Sequence, residues 1–203
     1  MTHVSIIRII IVFLSLTTSF AHSYNDKTNR IEVLVNENVI TKYDIVQRLK
    51  INSILNRVEI TDINYNQLLN IVIDDLVIEK LKIKKIEEYN ISFNENEFIT
   101  HEKRYLFNLN YSKKELEELF YINDINYNYL NELLEIDLKW QKLIYGLYLR
   151  VTSVTEQEIS ELISKNPSID QETANDLILQ KQLDLKSKKL IKDLRDEATI
   201  EYK

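Results

Sequence analysis

At 203 residues, with 44% hydrophobic and 29% charged side chains, the chain has the make-up of about one soluble globular domain rather than a disordered segment. A net charge of −6 with dispersed lysines lacks the footprint of a nucleic-acid binder, and the absence of Cys excludes disulfides, thiolate nucleophiles and Cys-based zinc sites. A single Gly and a single Pro exclude glycine-rich phosphate loops and argue for a mostly α protein, with Asn filling the left-handed turn positions that Gly ordinarily takes.

The first segment reads as a secretory leader. Met1–Arg8 carries a single Arg, Ile9–Leu16 is apolar, and Thr17–Ala21 is small and polar apart from Phe20, with Ser19 and Ala21 at the −3 and −1 places. Cleavage after Ser23, with Ala21 at −3, fits the same pattern. The apolar run is short of the roughly 20 residues that span a bilayer, so the expectation is an exported protein with its leader, residues 1–21, removed. Residues 22–29 then form a flexible lead into one unit over 30–203.

Ile31–Ile40 predicts a strand, with Asn36-Glu37-Asn38 as a turn within it. Thr41-x-x-Asp44 predicts the cap of a helix carrying Ile45, Leu49 and Ile54. After a polar break at Thr61–Asn66, a helix over Gln67–Tyr89 presents Leu69, Val72, Ile73, Leu76 and Ile83, widened by Ile71, Val77 and Ile78, and stops at Asn90. Three hydroxyl-x-x-Glu patterns, Ser92/Glu95, Ser112/Glu115 and Thr155/Glu158, predict capping boxes of successive short helices. Between the last two lies a long helix over Tyr127–Arg150, where Gly146 suggests a close helix approach. Asn166-Pro167 ends the following helix, dividing 30–166 from 168–203. Asp170 caps the final helix, and Ala198–Tyr202 returns to a strand. Two lone strands at opposite ends of a helical chain pair most economically with each other.

This order of elements resembles the core module of the SurA family of periplasmic chaperones across almost the whole mature chain. Val35-Asn36-Glu37-Asn38-Val39-Ile40 is similar to the family's opening strand and turn. Ile91-Ser92-Phe93-Asn94-Glu95, Tyr111-Ser112-Lys113-Lys114-Glu115-Leu116 and Val151-Thr152-Ser153-Val154-Thr155-Glu156-Gln157-Glu158-Ile159 are similar to its helix starts. Ile125-Asn126-Tyr127 resembles its fourth-to-fifth helix junction, and Ala198-Thr199-Ile200-Glu201-Tyr202 its last strand. The order and spacing of these motifs carry the resemblance. It implies a multi-helix SurA-like core with a small β pairing of the two terminal strands. The function it implies is ATP-independent binding of unfolded outer-membrane β-barrel proteins in the periplasm, alongside the outer-membrane assembly machinery.

The family's parvulin isomerase domains usually sit before the C-terminal helix, where this chain has only Asn166-Pro167-Ser168-Ile169. A domain needs on the order of a hundred residues, so isomerase activity is not expected to carry over. Neither cofactor, metal nor small-molecule substrate is expected. The remaining readings are a divergent prolyl isomerase and a non-catalytic subunit of an envelope complex.

Little else suggests chemistry. His101 reads as a solvated side chain, since a general base needs a positioned partner. Asp74-Asp75, Glu87-Glu88 and Glu117-Glu118 are adjacent in sequence, do not face each other on a helix, and read as solubilising charge. The aromatic residues carry the functional expectation. Tyr105, Phe107, Phe120, Tyr121, Trp140, Tyr145 and Tyr148 are expected to line an apolar client-binding cleft, with help from Leu177–Leu190. Tyr in particular offers contact area and a polar tip at low entropic cost, although aromatic side chains serve equally well as core.

Overall fold

The computed structural model describes residues 30–203, so the predicted leader and the segment up to residue 29 lie outside the described residues. The chain runs β1 (Ile31–Val35), β2 (Asn38–Thr41), α1 (Lys42–Asn56), α2 (Tyr65–Glu88), α3 (Glu95–Leu109), α4 (Lys113–Ile122) and α5 (Asn128–Tyr148). A 3-10 turn at Leu149–Val151 leads to α6 (Glu156–Lys165), α7 (Gln171–Glu197) and β3 (Ile200–Tyr202). This is the mostly α architecture expected, with a small antiparallel sheet uniting the two ends of the described chain.

The opening segment is a hairpin rather than one strand. Asn36 takes φ 53, a left-handed conformation Asn tolerates, and turns β1 back on β2. β1 is then the central strand in the order β2-β1-β3, with Val35 opposite Ile200 and Val33 opposite Tyr202. Asn36 also fastens the C-terminal end. Its backbone N–H donates to the Thr199 carbonyl at 2.8 Å, and its side-chain oxygen accepts from the Thr199 N–H at 3.0 Å. Alternation along the strands sends Val33, Val35 and Ile40 into the core against Ile45 and Leu49 of α1 and Val72 and Leu76 of α2.

Helix starts follow the capping chemistry, with one shift. Thr41/Asp44 and Thr155/Glu158 form complete boxes. Ser112 accepts from the Glu115 N–H at 3.2 Å without a returning bond. The expected Ser92/Glu95 box is replaced by Asn94/Glu97, two residues later. Asn is at least as good a cap as Ser, and in this register Glu97 reaches both the Asn94 N–H and Lys142 of α5. Helix ends use non-glycine residues at positive φ: Arg57, Asn90, Asn110 and Asp124.

Burial is shared among four apolar clusters. The first joins the sheet to α1 and α2; the second surrounds Phe120 between α1, α3, α4 and α5. The third packs Trp140, Leu143 and Ile144 of α5 on Ile86 of α2 and Leu183 of α7, and a small fourth joins α6 to α7. Leu194 of α7 touches both the first and the third, so the final helix links the sheet end to the α5 end. Gly146 does not serve a close approach: a Cβ placed there meets nothing within 4 Å. Among the described residues, no helix is long and apolar enough to cross a membrane.

Candidate functional site

The nominated aromatic residues divide between core and surface. Phe120 (0% exposed) and Trp140 (3%) are core residues of the second and third clusters, which corrects the placement of Phe120 on an open lining and leaves Trp140 only as part of a cleft floor. Tyr105 and Tyr148 are half-buried, packed on the second and third clusters respectively. Phe107 (80%), Tyr121 (84%) and Tyr145 are exposed. The reason is helical geometry. Leu116 and Phe120, four residues apart on α4, share the buried stripe, whereas Tyr121 lies about 100° further round.

A cleft of about 230 Å³ does lie between N-terminal helices and the C-terminal helix, where α2, α5 and α7 meet. It is more polar than expected. Lys82 comes from α2, Asp137, Gln141 and Tyr145 from α5, and Gln180, Asp184 and Ser187 from α7, over a floor of Trp140, Ile144 and Leu183. The Trp140 indole N–H donates to Ser187 Oγ at 2.8 Å, which settles the buried ring against α7. The Lys82 ammonium stands 5.5 Å from the Trp140 ring centroid. Burial is the main influence on Lys82 and lowers its pKa, against the pull of Asp137, Glu79 and Asp75. For Asp137 burial works upward, but His101, Lys82 and Gln141 together hold its carboxyl below the ordinary range.

His101 is not solvated. It is 4% exposed at the seam of α3 and α5, with Nε2 3.2 Å from Asp137 Oδ2. On the other side of Lys82 a second pocket of about 180 Å³ holds the buried Arg48–Glu79 ion pair and Asp75. Charged groups from four helices therefore converge along α2 and α5. No sequence motif signals this convergence, because the partners lie tens of residues apart and each has an ordinary polar setting locally.

Two further openings are apolar. Between α1 and α2 a groove of about 190 Å³ is lined by Leu49, Val58, Leu68, Ile71 and Val72. Between α6 and α7 a larger groove of about 440 Å³ has Leu162, Leu177, Ile178 and Leu185 along it, rimmed by Glu158, Glu161, Lys165 and Lys181. Leu177 and Leu185 are exposed, two turns apart on one face of α7. They fall within the segment expected to contribute to client binding; Val58 and Ile71 do not.

No protein-family model matches this chain, and no curated protein matches it.

Proposed function

We propose that this protein is an exported, ATP-independent holdase of the SurA type, which binds unfolded outer-membrane β-barrel proteins in the periplasm and keeps them from aggregating. The observation that carries the reading is the situation of α7. It is 27 residues long, only Ala174, Ile178 and Leu183 of it are buried, and both its flanks are open. One flank faces the cleft against α2 and α5; the other faces the apolar groove against α6. Shallow, partly apolar openings suit weak, reversible contact with many segments of an extended chain. Binding of that kind withdraws unfolded client from aggregation by mass action, without a nucleotide. The resemblance in element order supports the same reading. Residues 166–170 join α6 to α7 directly, where that family places its isomerase domain, so the proposal is non-catalytic.

The test is light scattering by a diluted, unfolded β-barrel client. Wild-type protein should suppress it, and Leu177→Ser with Leu185→Ser should weaken suppression several-fold while leaving the thermal midpoint within about 2 °C, because exposed leucines contribute little to folding. Unimpaired suppression by the double variant would remove α7 from the binding surface. A wild-type protein that suppresses nothing, or that isomerises a prolyl peptide above background, would overturn the reading itself.

A further inference from the structure

His101 is the one histidine among the described residues, and its surroundings form a closed circuit of side chains. A guanidinium nitrogen of Arg104 stands 3.2 Å from His101 Nδ1. Guanidinium only donates, so Nδ1 is the acceptor and the ring proton is assigned to Nε2. Nε2 faces Asp137 Oδ2 at 3.2 Å, close enough for ion pairing but not aligned as a hydrogen bond. That same oxygen accepts from Gln141 Nε2 at 2.8 Å, and Gln141 Oε1 accepts from Arg104 at 3.4 Å. Two members of the circuit, Asp137 and Gln141, line the cleft beside Lys82 and Trp140. On its outer side His101 borders a shallow groove with Glu97, Thr100 and Arg104, which gives solvent protons a route to the ring.

We propose that His101 is a proton-operated latch on the cleft: protonation at Nδ1 expels Arg104, binds Asp137 to the imidazolium, and weakens the cleft's hold on positively charged client segments. Once Nδ1 carries a proton it can no longer accept from Arg104, and two cations then face each other at hydrogen-bond range. Arg104 is exposed and free to swing into water. Glu97, on the same helix, is occupied by Lys142 of α5 at 2.7 Å and does not replace the lost partner. On the cleft side, Asp137 and Asp184 face the single cation Lys82 while His101 is neutral. A positive charge beside Asp137 cancels that excess and pulls the carboxylate away from Lys82. The proposal rests on the cleft being a client site, but the latch is observable without any client.

Trp140 is the only Trp in the chain and lines the cleft, so its emission reports the cleft directly. With full-length protein, we expect an acid-dependent, single-proton change in Trp140 emission that coincides with protonation of the His101 ring followed by NMR. The change should vanish in His101→Gln, whose amide keeps an acceptor for Arg104 and a donor toward Asp137 at every pH. A Lys-rich unfolded peptide should bind roughly fivefold more weakly on the acid side, the low end of couplings between sites, and an uncharged peptide of equal length should bind unchanged. Protonation of His101 with no response at Trp140, a ring that stays neutral for as long as the protein remains folded, or a transition that persists in His101→Gln would overturn the latch. A Trp140 transition that depends on His101, with neither peptide binding at any pH, would uphold the latch and sink the client reading instead.

Discussion

Asp75 shows how burial alone can set a residue against its own fold. Its carboxylate accepts from Asn52 Nδ2 at 3.2 Å and lies near Arg48, but also near Asp74 and Glu79. Burial is the largest influence and raises its pKa; it outweighs the help from Asn52 and Arg48, and Asp74 and Glu79 add smaller pushes in the same direction. A carboxyl whose folded value exceeds its unfolded one binds the extra proton in the native state. The contribution of this carboxyl to stability is therefore greatest below the unfolded value of about 3.9, falls as pH rises through the folded value, and stays lower at neutrality. Asp75→Asn keeps an acceptor for Asn52 and removes the charge. It should raise the urea midpoint at pH 7, with the advantage over wild type shrinking toward pH 4. Gly146 is the second residue-scale case. Exposed in the last turn of α5, just before the 3-10 turn, with open space around it, it carries the entropic cost of Gly and no packing benefit. Gly146→Ala should stabilise by about 0.5 kcal/mol, less than in a helix interior because the position is near the helix end, read as a higher thermal midpoint.

At the scale of elements, short helices depend on their caps. α6 has 10 residues and one buried side chain, Ile159, so little packing holds it. Thr155 Oγ1 accepts from the Glu158 N–H at 3.2 Å while Glu158 returns to the Thr155 N–H at 2.9 Å. Glu158 also accepts from Gln182 of α7, joining the cap to the groove wall. Thr155→Ala should cost about 1 kcal/mol, appearing as faster amide exchange confined to α6 rather than as a large fall in global stability. Loss of protection throughout the protein would show instead that α6 is integral to the cooperative unit. The same local chemistry explains the misplaced start of α3. Ser92/Glu95 and Asn94/Glu97 both satisfy the pattern, and the choice falls to the register in which Glu97 also meets Lys142.

For the whole molecule, the sheet is the point of closure. β3 covers one edge of β1, and Ile200 packs on the first cluster with Leu194 and Ala198. Deleting residues 199–203 removes that burial and leaves the central strand with an open edge. The thermal midpoint should drop by roughly 5–15 °C, at 2–4 °C per kcal/mol for a chain this size, and the deletion should promote association through the bared strand. An unchanged midpoint would mean that the terminal pairing is incidental to stability.

Helices, caps and the pairing of terminal strands were legible in the sequence because their causes are local or simple. A hydroxyl and a carboxylate three residues apart, apolar residues at helical spacing, and Asn at a turn each act within a few bonds of where they are written. Two isolated strands had few partners to choose from. Burial of Phe120 but not Tyr121 was partly legible in the Leu116/Phe120 spacing, whereas Trp140's place under Lys82 and against Ser187 depended on where α2 and α7 pass. The meeting of Arg104, His101, Asp137 and Lys82 was not legible at all. Each side chain is an ordinary polar residue on its own helix; only packing of three helices makes them neighbours and withdraws His101 among them from water. Local free energies are thus written along the chain, while desolvation and long-range charge are decided by the tertiary structure, because both depend on which surfaces come together.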